Sequence, residues 1–264
     1  TMLGLLVALL MAFSGLLSIV RFYGYLLTDE SEGFKSRFGL FDRREKTLKK
    51  IKLHSIEMVQ TAIGRAIGRW HLIGHQTGMN LLGGPEMKFL VPGVADDRID
   101  ELAGAVDDYH SQSAPDWRPI DRLFRTMLWL RFSVLLIAIA VLLQFVADDF
   151  PKYMDLASLG VLTFNGLLLY LIHLRCKRWG YLHTADIVMI RSGLVGQNIM
   201  RFEPNSVQQI SVTQSPLQRR RNIASITIRL PHGEVSVPWI PLDDARSMAN
   251  RLLYQIESKQ VFSL

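Results

Sequence analysis

Three stretches of the chain are apolar without interruption, and between and after them the pattern changes to short alternating runs. Residues 2–20 hold no charged side chain across nineteen positions, about the length a helix needs to cross a bilayer's hydrocarbon core. Residues 132–147 form an uncharged run of sixteen, lengthened upstream by Met127-Leu128-Trp129-Leu130 across Arg131, whose long side chain can snorkel to the interface. Residues 156–174 are a third run, of nineteen. The intervening Asp148-Asp149-Phe150-Pro151-Lys152 is too short for anything but a tight turn, so the second and third runs are expected to form a helical hairpin.

Past the third run the period becomes two. Alternation is plainest in Ile226-Thr227-Ile228-Arg229-Leu230 and Val235-Ser236-Val237, with Pro231-His232-Gly233 as the turn between them. The pattern predicts strands over residues 181–184, 187–191, 194–195, 199–202, 207–212, 223–230 and 235–238. Asp243 is then placed to cap a helix with Ala245, Met248, Leu252, Leu253 and Ile256 inward, and Arg246, Asn250, Arg251 and Glu257 outward. A first unit ends the same way: residues 87–91 read as its last strand, and Asp96 opens a helix with Ile99, Leu102, Ala103 and Val106 on one face.

The two units are copies of one pattern. Tyr23-Gly24-Tyr25-Leu26-Leu27-Thr28 follows the first apolar run, and Trp179-Gly180-Tyr181-Leu182-His183-Thr184 follows the third. Lys35-Ser36 answers Arg191-Ser192, Gly39-Leu40 answers Gly193-Leu194, Ile56, Met58 and Gln60 answer Ile210, Val212 and Gln214, and Arg65 answers Arg219. Such a repeat defines the folding unit as a membrane segment plus a small soluble domain. The expected organisation is a transmembrane helix at 1–20, a first domain at 21–110 and a linker at 111–126. A helix at 127–147, an outer loop at 148–153, a helix at 154–174, a second domain at 175–258 and a tail at 259–264 complete it. Because a two-helix hairpin precedes the second copy, the first helix reads as the second half of a hairpin whose start lies in a longer natural protein.

The run Val207-Gln-Gln-Ile-Ser-Val-Thr-Gln-Ser-Pro-Leu-Gln-Arg219, with Gly-Tyr-Leu-x-Thr before it and Ile240-Pro241 leading into the last helix, resembles the bacterial pleckstrin-homology-like (PH-like) domain family. More narrowly it is similar to membrane-flanked domain proteins, which alternate membrane hairpins with two or three such domains. The first copy departs from the motif, with Thr61-Ala62-Ile63 in place of Ser215-Pro216-Leu217 and an additional loop at 80–85. The resemblance implies an α+β membrane protein: transmembrane helices plus two small PH-like split β-barrels, each closed by a C-terminal helix. It further implies a binding or scaffolding role with no catalytic residues and a cytoplasmic face; the expected function is a non-enzymatic scaffold of the bacterial inner membrane, in envelope maintenance or defence.

Charge sharpens this picture. The net charge is +6, and its excess flanks the apolar runs: Arg118, Arg122, Arg125 and Arg131 before the hairpin, Arg175, Lys177 and Arg178 after it, with an acidic tip. The positive-inside rule then puts both hairpin ends, and the domain after Arg21, in the cytoplasm. No continuous basic groove interleaved with aromatics suggests nucleic acid. The single cysteine, Cys176, excludes an intrachain disulfide. No Cys/His cluster has metal-ligand spacing, no cofactor motif is present, and neither a nucleophile elbow nor a phosphate-cradling loop occurs.

The features expected to touch a partner are basic. Arg219, Arg220 and Arg221 follow the Gln-Ser-Pro-Leu motif, and Lys49, Lys50 and Lys52 crowd the middle of the first copy with Arg43, Arg44 and Lys46. Near an anionic leaflet each such cation is worth about 1 kcal/mol; the competing reading is a solvated face obeying the positive-inside bias. Expected partners are anionic inner-leaflet lipids and other membrane proteins or further copies of the chain. His71 and His75 have the interval of a helical metal pair but sit in a strand pattern, which favours a structural role. His173 reads as interfacial, and Asn165 as a hydrogen-bonding partner for a neighbouring helix that Gly160 and Gly166 let approach. Asp96-Asp97 and Asp243-Asp244 recur at helix starts and read as caps. A transport or permeation component built on the hairpins is the alternative function.

Overall fold

The computed structural model describes residues 2–31, 33–76, 88–107, 116–146, 151–184 and 186–261. The additional loop at 80–85, residue Met87 and the hairpin tip at 148–150 lie outside the described residues. The chain divides into two compact units, residues 1–113 and 114–264.

In the first unit α1 (Met2–Phe22) runs through the whole first apolar stretch. Three strands follow as an antiparallel meander, β1 (Leu26–Glu30), β2 (Gly33–Phe38) and β3 (Arg44–Lys49). A 3₁₀ turn at Lys50–Lys52 leads to β4 (Leu53–Gln60), the short helix α2 (Ala62–Ala66), β5 (Arg69–Gln76) and β6 (Lys88–Ala95), with α3 (Ile99–Asp107) at the end. β4 pairs β5 and β5 pairs β6, all antiparallel. Alternation explains the core: Ile56 and Met58 of β4, Trp70 and Leu72 of β5 and Phe89 and Val91 of β6 are buried with Ile99, Ala103 and Val106 of α3. Leu102 is only half-buried.

The second unit begins with the two-residue β7 (Arg118–Pro119) and the hairpin of α4 (Arg122–Val146) and α5 (Pro151–Arg178). Segments Arg122–Leu142 and Leu159–Arg178 are long and apolar enough to cross a membrane, and almost none of their surface is buried within the protein. Only Trp179 separates α5 from β8 (Gly180–His183), which pairs β9 (Val188–Ser192); β9 in turn pairs β10 (Gln197–Phe202). A 3₁₀ turn at Pro204–Ser206, β11 (Gln209–Thr213), α6 (Pro216–Arg220), β12 (Ile223–Leu230), β13 (Gly233–Pro241) and α7 (Leu242–Val261) complete the chain. Ala224, Ile226, Ile228 and Leu230 alternate into a core closed by Ala245, Met248 and Leu252 of α7. Each of the Ile, Leu and Met side chains among these contributes roughly 1.5–3 kcal/mol by leaving water.

Both units thus follow one order: three strands, a 3₁₀ turn, a strand, a short helix, two strands and a helix. The likeness extends to single bonds. Arg65 and Arg219 each donate their N–H to the cap carbonyl, Thr61 at 2.8 Å and Ser215 at 3.0 Å. A register shift falls between Trp70 and Leu72 in β5 and between Ala224 and Ile226 in β12. The N–H of Asp96 reaches the carbonyl of Gly68 at 3.2 Å, as that of Leu242 reaches Asn222 at 2.9 Å.

Several sequence expectations change. Leu194-Val195 is not a strand but the turn between β9 and β10, because Gly193, at φ 150°, folds the chain back so tightly that a Cβ there would lie 2.4 Å from the carbonyl oxygen of Gly196. Gly39, at φ 114°, does the same against Asp42 in the first unit. Counting back from these glycines, Arg37 rather than Lys35 answers Arg191, and two extra residues fall in the β1–β2 hairpin. Asp243 lies inside the first turn of α7 and Asp96 three residues before α3, so neither is a cap. Leu253 is exposed rather than inward. Gly160 and Gly166 face open space, and Asn165 has no hydrogen-bond partner among the described residues.

Candidate functional site

Arg219, Arg220 and Arg221 are all exposed, and the motif before them is what holds them out. Ser215 accepts the N–H of Gln218 at 3.3 Å while the Gln218 side-chain oxygen accepts the N–H of Ser215 at 2.7 Å, a reciprocal capping box with Pro216 at the first helical position. Buried Gln218 also donates to Ser225 Oγ at 2.9 Å, and Gln214 donates to the carbonyl of Ile223 at 2.7 Å. Ser225 Oγ in turn accepts the N–H of Trp239 at 3.3 Å, and the carbonyl of Trp239 accepts from Asp121, at the start of α4, at 2.8 Å. The Trp239 ring packs on Phe124 of α4 at 6.1 Å. The arginine triplet is therefore fastened, through Gln218, Ser225 and Trp239, to the end of the hairpin where the charged flank begins. The Ser-x-x-Gln spacing is the local signal from which this cap could have been read; the links through Ser225 and Trp239 join residues distant along the chain and left no local signal.

Lys49, Lys50 and Lys52 occupy a different place. Lys49 stands opposite Gly33 at the far end of the β2–β3 hairpin, and Lys50 and Lys52 flank Ile51, which is 91% exposed, on the following 3₁₀ turn. Lys50 Nζ lies 5.6 Å from the Phe34 ring centroid. The opposite end of that hairpin, the turn at 39–43, is the one joined to α1: Gly39 N–H donates to Tyr23 at 3.0 Å and Leu40 N–H to Val20 at 3.2 Å. From Arg44 to Lys49, β3 covers roughly 17 Å at about 3.3 Å per residue, twice the physiological screening length of about 8 Å. The lysines are thus remote from the helix end, whereas Arg21 and Arg44 line an open groove of about 440 Å³ there with Val20, Phe38, Leu40 and Phe41.

A second set of polar contacts ties the repeated Gly-Tyr-Leu-x-Thr motif into the last helix. Tyr181 donates to Asp244 Oδ2 at 2.7 Å, and Arg118 of β7 donates to Asp244 Oδ1 at 3.0 Å. Burial, helped by the neighbouring Asp244 carboxylate, pushes the Tyr181 hydroxyl well above the usual phenol range. The same burial, with Arg251 and Arg118 nearby, holds His183 below the ordinary imidazole value. Tyr25, the counterpart of Tyr181, donates instead to the carbonyl of Leu90 at 3.0 Å, and burial pushes it up to about 12. Asp244 and Asp96, which accepts from the Trp70 indole, are tertiary anchors rather than helix caps.

Arg191 lies over the Trp117 ring at 4.7 Å and donates Nε to the carbonyl of Arg178 at 3.0 Å, and burial lowers it from the usual guanidinium value. Arg178 itself donates through one guanidinium nitrogen to the carbonyls of Leu194, of Val195 at 2.6 Å and of Gly196 at 3.4 Å. In the hairpin, His173 Nδ1 stands 3.1 Å from an Arg125 nitrogen, and that guanidinium lies 5.3 Å from the Trp129 ring centroid. Since Arg125 can only donate, His173 Nδ1 is the acceptor of this bond. His71 and His75 both lie on β5, with His75 buried against Glu57 at 3.2 Å. Among the described residues no three His, Cys, Asp or Glu side chains come together to hold a metal ion.

No curated protein matches the chain. No solved structure matches it either. A family model described as the bacterial PH domain matches residues 123–256, from the start of α4 to the last turns of α7, so that the hairpin and strands β8 to β13 fall inside one match. That match spans just over half of the sequence, and the chain belongs to the bacterial PH domain family.

Proposed function

We propose that the protein is a non-enzymatic scaffold of the bacterial inner membrane. In this reading α1, α4 and α5 cross the bilayer, and two PH-like domains, one per unit, lie on the cytoplasmic side. Membership of a family of binding modules supports the scaffold role, and the shared element order, cap bond and register shift support a PH-like first unit. The observation that carries the lipid-facing assignment is the chain of contacts from Gln218 through Ser225 and Trp239 to Asp121 and Phe124. It ties the turn that carries Arg219, Arg220 and Arg221 to the start of α4, and in this reading the triplet faces the anionic headgroups on that side. Lys49, Lys50 and Lys52, at the far end of the first unit's hairpin, are assigned to a protein partner or another copy of the chain.

The test uses the full chain in nanodiscs of zwitterionic lipid, or of the same lipid mixed with anionic lipid, under limiting trypsin. Three cations at about 1 kcal/mol each would give at most a hundredfold protection, and screening reduces this to an expected factor of about ten. Cleavage after Arg219, Arg220 and Arg221 should slow by that factor in anionic discs, while cleavage after Lys52 keeps its rate. Equal cleavage at the triplet in both kinds of disc would remove the lipid assignment.

A further inference from the structure

Both units display the same unexplained feature: an exposed apolar pair on the turn after the second strand. Leu40 is 43% and Phe41 87% exposed; Leu194 is 39% and Val195 48% exposed. Single exposed apolar residues need no account, but these recur at one place behind equivalent glycines, Gly39 and Gly193. Each turn is also fixed to the last turn of an apolar helix. In the first unit the N–H of Leu40 donates to the carbonyl of Val20, the final residue of the uncharged run. In the second, Arg178 at the end of α5 reaches the carbonyls of Leu194, Val195 and Gly196. Different bonds thus place the two turns alike.

We infer that these turns are a pair of membrane-dipping fingers, whose Leu40-Phe41 and Leu194-Val195 side chains enter the boundary between headgroups and acyl chains of the inner leaflet. The inference rests on the helices crossing the bilayer as proposed above. A turn hydrogen-bonded to Val20 lies within one bond length of the depth at which the apolar run ends. The exposed apolar surface of α1, with Leu16, Leu17 and Ile19, therefore continues onto Phe41. Exposed Arg21, Arg43 and Arg44 surround the first finger, and Arg175 and Lys177 lie on the helix beside the second, as anionic headgroups require. Aromatic and aliphatic side chains flanked by cations suit that boundary. The first finger carries the larger side chains.

The test labels single cysteines with an environment-sensitive fluorophore in the full-length Cys176→Ala protein, reconstituted in vesicles containing anionic lipid. Labels at Phe41→Cys and Val195→Cys should emit at shorter wavelength than labels at the exposed strand ends Glu30→Cys and Glu234→Cys. They should also be quenched several-fold more by a nitroxide near the headgroup. Labels at Leu9→Cys and Leu162→Cys, within the apolar helices, should be quenched by a nitroxide near the acyl-chain end. If those helix labels are quenched while 41 and 195 behave as 30 and 234, the fingers are refuted and the membrane crossing stands. If 41 and 195 shift in wavelength without lipid quenching, a protein covers them and the inference also fails. Absent quenching at 9 and 162 overturns the crossing itself.

Discussion

Replacing Tyr181 by Phe removes one hydroxyl from the second unit and leaves the ring, 1% exposed, in place. That hydroxyl is the donor of a 2.7 Å bond to Asp244, which joins the first strand after the hairpin to the closing helix. A hydrogen bond to a charged acceptor is worth about 1.5–3 kcal/mol. Asp244 keeps Arg118 at 3.0 Å, and its side chain is 28% exposed, so water can take the vacated position. The expected cost is therefore at the lower end, about 1.5 kcal/mol, or roughly tenfold in the local opening equilibrium. Hydrogen exchange on the full chain in nanodiscs should show β8 and the first turn of α7 exchanging about tenfold faster in Tyr181→Phe, with the β2–β3 peptide as internal reference. Asp244→Asn weakens both bonds, and the double variant should cost less than the sum of the two by about 1 kcal/mol, since both act on one link. Unchanged exchange in Tyr181→Phe, or strict additivity, would refute the reasoning that this bond closes the domain.

The other expected outcomes are briefer to state. Buried Tyr181 and half-buried Tyr25 have raised pKa values, so the stability they confer is complete below pH 10, the ordinary phenol value, and is lost as pH rises beyond it. Far-ultraviolet dichroism should show alkaline unfolding that Tyr181→Phe lessens, and the absorbance difference between wild type and Tyr25→Phe should titrate near the raised value of about 12; a midpoint at the ordinary phenol value would contradict the burial. Gly193→Ala would bring a Cβ to 2.4 Å from the Gly196 carbonyl oxygen at φ 150°. It should cost more than about 2 kcal/mol locally, read as faster exchange across Gln197–Phe202, and unaltered exchange there would show that the turn does not need glycine.

Much of this architecture was legible because it repeats. The apolar runs, the Gly-Tyr-Leu-x-Thr motif and the strict alternation of Ile226, Ile228 and Leu230 each report a local periodicity that burial then enforces. What the sequence concealed is what depends on pairs far apart. Asp244 looked like a helix cap because caps and anchors use the same side chain, and only Tyr181 and Arg118, 63 and 126 residues away, decide between them. The Leu194-Val195 pair reads as a strand by composition, and the backbone conformation of Gly193 overrides it. The six candidate cations look equivalent as charge counts; strand register separates them, because Lys49 lies opposite Gly33 while Gln218 is bonded to the serine beneath Trp239.

The joint at Trp179 has a mechanical consequence. One residue connects α5 to β8, Phe124 sits between the Trp179 and Trp239 rings at 6.4 and 6.1 Å, and Arg178 grips the β9–β10 turn from the helix side. There is no slack in this coupling. A tilt or rotation imposed on the hairpin is transmitted to the sheet as a lever transmits torque. The direction in which the second unit points is set by the helices that carry it, and a partner gripping that unit pulls directly on the hairpin.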